Sequence, residues 1–211
     1  MAARSAEELS QDLDQSLAWR RIELHAIKVE LERRDPPGSP RMRALARCAV
    51  VMLYAHWEGF AREACQAYRD YIAFLRLNYA TLSDALIEAS LSDLASRMAD
   101  PSSVTHLVEL VRNPSVRARI PRKMNETRAN LNFENLEAML SRLGLSTGPF
   151  ETRRPLLDRT LCGTRHEVAH GRDSFPTVES VIALHAATLS MMESVRDLVR
   201  DAAFDGAFRA S

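Results

Sequence analysis

Glycine is scarce in this 211-residue chain, occurring seven times, and no stretch alternates β-branched with polar residues. Without such runs there is no basis for a sheet. Long apolar runs are missing as well. The longest, Ala44 to Ala55, is interrupted by Arg47 and falls short of the roughly 20 residues of a membrane span. The N-terminal MAARSAEELSQDLDQ is acidic and lacks the apolar core of a signal peptide, so a cytoplasmic location is expected. Cysteine occurs three times, at Cys48, Cys65 and Cys162, with no CxxC pair. That odd count favours buried free thiols in a reducing compartment. Net charge is zero, which argues against indiscriminate polyanion binding. Lysine is nearly absent: of 28 lysines and arginines, only Lys28 and Lys123 are lysines. Any anion site here must be built from forked guanidinium groups.

What is present is helical spacing. Hydrophobic residues make up 46% of the chain, enough for one domain with a sizeable core. Ser5 to Arg34 reads as one helix with Leu9, Leu13, Leu17, Leu24, Ile27 and Leu31 on its apolar side. The turn Asp35-Pro36-Pro37-Gly38-Ser39-Pro40 ends it. A second long helix is expected from about Arg41 to Tyr79, with a stripe through Leu45, Cys48, Met52, His56, Phe60, Ala64, Ala67, Tyr71 and Leu75. Shorter helices follow at Ser83–Met98, near Val104–Val111, at Phe133–Leu143 and at Arg154 to about Ala169. Thr147-Gly148-Pro149 reads as a turn. Thr177 is placed to cap a last helix carrying Val178, Val181, Ile182, His185, Leu189, Met192 and Val199. The expected fold is all-α: one helical bundle over residues 1–211, with a core at about 41–200 and the N-terminal helix 5–34 packed on it.

The stretch RHEVAHG, residues 165–171, contains two overlapping patterns. From His166 it reads H-E-x-x-H, in which two imidazoles one turn apart share a zinc ion and the glutamate acts as base. A third protein ligand is required. Position 176, where one zinc-peptidase continuation needs histidine, is Pro176, and Arg172 stands where a hydrophobic residue is wanted. The expected fold also lacks the sheet that holds a peptide substrate. The zinc reading is therefore disfavoured.

From Arg165 the same stretch reads R-x-x-x-x-H. A guanidinium can hold phosphate oxygens and stabilise charge that builds in a transition state. An imidazole can carry a proton near neutral pH. Five helical residues separate Arg165 from His170 by about 140° of rotation and about 7.5 Å of rise. The spacing is easier to rationalise if two copies of the helix meet across a twofold axis, each lending an arginine and a histidine to one cleft.

Two further blocks stand in order before the motif: LYAHWEGFAREACQAY at residues 53–68 and NLNFENLEAMLSRLGL at residues 130–145. With RHEVAHG, they resemble the HEPN superfamily of small all-α ribonucleases, specifically its MAE-like branch from prokaryotic toxin and defence loci. The resemblance spans roughly residues 41–200. It implies an up-and-down HEPN bundle with additional helices and a homodimer with a composite active site. It implies endoribonuclease chemistry without metal or cofactor, in which a ribose 2′-hydroxyl attacks the adjacent phosphodiester, leaving a 2′,3′-cyclic phosphate and a 5′-hydroxyl. A cognate antitoxin is a possible partner. Arg165 and His170 are then the catalytic pair. Where the family most often has Asn or Asp after the motif arginine, this chain has His166, which could orient the phosphate or carry a second proton. The alternative is a non-catalytic HEPN-like module that binds RNA or protein.

Other candidates are supporting ones. Glu58 falls within an apolar stripe, where a carboxylate needs a partner, and could orient Arg165 or a motif histidine. The segment 113–128 carries five basic residues, among them Arg117, Arg119, Arg122 and Lys123, and reads as a loop able to track an RNA backbone. It has no aromatic residue for base stacking. His56, Trp57 and His185 are expected in the core, and no cysteine is placed to act as a nucleophile.

Overall fold

A computed structural model describes residues 2–33, 36, 38–121 and 130–210. Among these the chain forms eight α-helices and no strand: α1 (Ala6–Leu31), α2 (Pro40–Phe74), α3 (Asp84–Ser96), α4 (Pro101–Arg112), α5 (Phe133–Ser141), α6 (Gly148–Glu151), α7 (Thr164–Ala169) and α8 (Val178–Phe204). A π-helix, Leu156–Gly163, leads directly into α7. The all-α expectation holds. Parts of the 35–40 turn and of the 113–128 loop, including Arg122 and Lys123, lie outside the described residues.

Side-chain caps set where the long helices begin. The hydroxyls of Ser5, Ser39 and Thr177 accept the backbone N–H groups of Glu8, Met42 and Ser180 at 3.2, 3.3 and 3.2 Å. Each satisfies a donor that has no intrahelical partner. Pro40 follows Ser39 at the first helical position, where its missing N–H costs nothing.

Helices α1, α2 and α8 make up the central bundle. Contacts fix their directions. Glu23 meets His56 and Arg20 meets Glu63, so α1 runs antiparallel to α2. Asp14 meets Arg196 and Arg21 meets Glu193, so α1 is antiparallel to α8 too. Leu9, Leu13, Leu17 and Leu24 of α1, Trp57, Phe60 and Ile72 of α2, and Met191, Val195 and Val199 of α8 are all fully buried or nearly so. Burying each such side chain stabilises the fold by about 1.5–3 kcal/mol before entropy is charged against it.

Several expectations need correction. The second helix stops at Phe74, not Tyr79. Arg76 follows with φ 54, a left-handed conformation that ends the helix, and Tyr79–Thr81 form a 3-10 turn. Its buried face is also broader than the single stripe expected, because α1, α8 and α7 pack around it. Ala46, Ala49, Val50, Leu53 and Tyr54 are buried, whereas Cys48 is exposed. Only Cys65 and Cys162 fit the buried-thiol expectation. Helix α4 starts at Pro101 under an Asp100 cap, and the expected turn at 147–149 begins the one-turn helix α6. The single helix expected over 154–169 is a π-helix joined to α7.

Candidate active site

The π-helix delivers α7 to the side of α2. Wider turns of this kind are uncommon, and they recur at functional sites because they re-aim the residues that follow. Here the residues that follow are Thr164 to His170.

Arg165 is held from two directions. Its Nη1 donates to Asn130 Oδ1 at 2.9 Å, and its guanidinium carbon lies 4.4 Å from the centre of the Tyr54 ring. Tyr54 is itself immobilised, being buried, and its hydroxyl accepts the Leu131 N–H at 2.8 Å. Burial pushes that hydroxyl well above the ordinary tyrosine range, and the Glu58 carboxylate adds to the rise. Trp57 Nε1 donates to the Leu131 carbonyl at 3.3 Å, and the Cys162 thiol donates to the same oxygen at 3.7 Å. Three sequence blocks thus converge: Tyr54 and Trp57 from the first, Asn130 and Leu131 from the second, and Arg165 from the motif. The backbone of Leu131 is the knot. Cys162 is no nucleophile, because burial, reinforced by the Asp158 carboxylate, pushes its thiol up to about 12.

The histidines occupy the far end of α7. His166 and His170 stand with ring centroids 4.3 Å apart, tilted by 53°. His170 caps the helix and is exposed. The helix then closes through Gly171 at φ 68. The Gly171 N–H donates to the Val168 carbonyl at 3.1 Å, and the Arg172 N–H donates to the Glu167 carbonyl at 3.0 Å. This pair of bonds is the Schellman termination, which requires a left-handed residue where glycine sits. Arg47 of α2 locks the same segment. Its Nη1 donates to the carbonyls of Arg172 and Ser174 at 2.8 and 2.6 Å, while Nη2 reaches Val168 O at 3.5 Å.

The other candidates are placed as follows. Glu58 does not pair with Arg165. Its carboxylate accepts Arg62 Nε and Nη2 at 3.0 and 2.8 Å, one turn along α2, and its charge bears on the Tyr54 hydroxyl. Glu167, the base of the zinc pattern, pairs with Arg172 at 2.8 Å. Among the described residues, no group of three His, Cys, Asp or Glu side chains is gathered to hold a metal. Arg117 and Arg119 are exposed and line a groove of about 1020 Å³ with Arg76 and Arg97, but also with Asp93 and Asp100. Along α2 that groove begins at Gln66, 12 residues beyond Tyr54, or about 18 Å along the helix axis. The fold therefore does not bring Arg117 and Arg119 to Arg165. His56 and His185 are buried as expected.

The sequence reading missed Tyr54, Asn130 and Arg47. The first two lie inside the blocks already singled out. Nothing in local spacing marked Arg47, 118 residues before Arg165.

An all-α bundle carrying R-x-x-x-x-H on a short helix beside its long central helix defines a HEPN-type domain. The family profile of RiboL-PSP-HEPN matches residues 15–201, and the chain belongs to that family. The match takes in most of α1, which the sequence reading had set outside the resemblance. Comparisons with curated proteins and with solved structures give no significant match. Among the described residues, no helix is long and apolar enough to cross a membrane.

Proposed function

We propose that this protein is a metal-independent endoribonuclease that works as a homodimer in the cytoplasm, in the manner of toxin or defence effectors of the MAE-like HEPN branch. The observation that carries this reading is the preorganised Arg165. Asn130 occupies one of its five N–H donors and Tyr54 covers one face, so among the described residues the remaining donors are left to take the non-bridging oxygens of a phosphodiester.

In the proposed reaction, the ribose 2′-oxygen attacks the adjacent phosphorus and the bond from phosphorus to the 5′-oxygen breaks. One imidazole, His170, accepts the 2′-hydroxyl proton. The departing 5′-oxygen needs a proton in return, and His166, whose ring centre lies 4.3 Å from that of His170, supplies it. Arg165 stabilises the extra negative charge as the phosphorus becomes five-coordinate. Products are a 2′,3′-cyclic phosphate and a 5′-hydroxyl. Arg165 is turned toward α2 while the imidazoles stand at the open end of α7, so a second copy across a twofold axis completes the cleft. Glu58 supports the site through Tyr54. Arg117 and Arg119, with Arg122 and Lys123 of the same loop, contact RNA away from the scissile bond. A cognate antitoxin is the expected protein partner.

The test is RNA cleavage in EDTA by wild type, Arg165→Ala and His170→Ala, with product ends identified. Loss of cleavage by about a hundredfold or more in both variants is expected. Equal activity in all three, or RNA binding by wild type with no cleavage, overturns the catalytic reading.

A further inference from the structure

Resting on the ribonuclease reading, we propose that Phe175 is a nucleobase-stacking subsite beside the scissile phosphate. A lone exposed aromatic is ordinary on a protein surface. Phe175 is unusual in how it is held. It is 50% exposed and lies five residues after His170, on the segment that leaves α7. The guanidinium carbons of Arg43 and Arg47 lie 5.2 and 5.5 Å from its ring centre. Arg47 at the same time donates to the backbone carbonyls of Arg172 and Ser174, the latter the residue just before Phe175. The segment is thus tied down on both sides of Asp173, and the ring does not have to be ordered when a ligand arrives.

The chemistry of the surroundings selects the ligand. Arg43 is exposed and offers a guanidinium to a phosphate, while half of the Phe175 side chain's surface is open to solvent. An apolar face bordered by guanidinium groups suits a base on a charged backbone, and stacking of this kind tolerates any base. The basic loop at 113–121 contains no aromatic, and its groove lies at the far end of α2, so base contacts near the reacting bond have to come from elsewhere. Phe175 supplies them on the same segment as His170, and it sets how a strand threads past the imidazoles.

The experiment measures binding of a fully 2′-O-methylated single-stranded RNA, which cannot be cleaved, and of an abasic 2′-O-methylated strand of equal length. The proteins are full-length wild type, Phe175→Ala and Phe175→Trp, checked for equal thermal midpoints. Expected is a loss on the order of tenfold or more for Phe175→Ala on the base-bearing strand, no loss on the abasic strand, and retention by Phe175→Trp. Equal loss on both strands marks a structural or charge effect and overturns the proposal. So does wild-type binding of both strands by Phe175→Ala. Dissociation of the homodimer with RNA affinity unchanged assigns the ring to a protein interface instead, and it too overturns the proposal. If Arg165→Ala and His170→Ala abolish cleavage while Phe175→Ala behaves as wild type, only this subsite falls. If wild type neither binds nor cleaves RNA, the parent reading falls with it.

Discussion

Arg165 stacks on Tyr54 at 4.4 Å, and this contact joins the motif helix to the centre of the bundle. A guanidinium over an aromatic face is held by the ring's negative quadrupole without using up its hydrogen-bond donors. The arginine is thereby fixed in place and still able to bind an anion.

The ring and the hydroxyl of Tyr54 have separable roles. Tyr54→Phe keeps the stacked face and loses the bond from Leu131 N–H, at a cost of about 1 kcal/mol in stability, with cleavage changed little. Tyr54→Ala removes the platform and opens a cavity, at a cost of about 3–5 kcal/mol, and cleavage falls sharply. Urea melts and cleavage rates of the two variants, compared side by side, check this.

Asn130 holds Arg165 as a neutral acceptor. Asn130→Ala should lower kcat/KM by about tenfold to a hundredfold, the value of a hydrogen bond to a charged group. Asn130→Asp places a carboxylate where the amide was and competes with phosphate for the same guanidinium, so KM should rise more than kcat falls. An Asp variant that binds RNA better than wild type contradicts the assignment.

Arg47 orders the end of α7 through three carbonyls. Arg47→Ala should accelerate amide hydrogen exchange across residues 168–175 and reduce cleavage, leaving exchange in α1 and α8 unchanged. Arg47→Lys should restore little, because an ammonium cannot reproduce the fork. Uniform exchange changes across the molecule would point to global destabilisation instead.

Gly171 has φ 68 and, among the described residues, no neighbouring atom within 4 Å of where a Cβ would sit. Gly171→Ala therefore meets only the backbone penalty of the left-handed region, about 1–2 kcal/mol, and should lower Tm by a few degrees. Gly171→Asn should recover part of that loss. Thermal melts of the two variants decide it.

Stability should fall on mild acidification. Burial lowers the pKa of His56, His106 and His185 from 6.5; Arg119 adds to the effect at His106 and Lys28 at His185. At His56, burial outweighs the opposing Glu23 carboxylate 3.0 Å from Nε2. A histidine of this kind takes up its proton more readily in the unfolded chain. Its stabilising contribution is complete above pH 6.5 and is lost as pH falls from there toward the lower folded-state value. The urea midpoint should therefore drop between about pH 7.5 and pH 5, and His185→Gln should flatten part of that slope.

The sequence by itself determined the all-α class, the cap at Thr177, and the paired histidines, because each follows from neighbours within a turn or two. Helical spacing places His166 beside His170 whatever the rest of the chain does. The π-helix before α7 left no such mark, since the apolar spacing of Leu156, Leu157 and Leu161 reads as an ordinary helix. Glu58 pairs with Arg62, one turn along the same helix, rather than with Arg165. Tertiary structure alone decided that Tyr54, Asn130 and Arg165 meet, that Arg47 reaches the chain beyond His170, and that Arg117 and Arg119 face a different groove. Those contacts join residues tens of positions apart. They are set by how three long helices bury their apolar faces together, and no periodicity within one helix records where its neighbours come to rest.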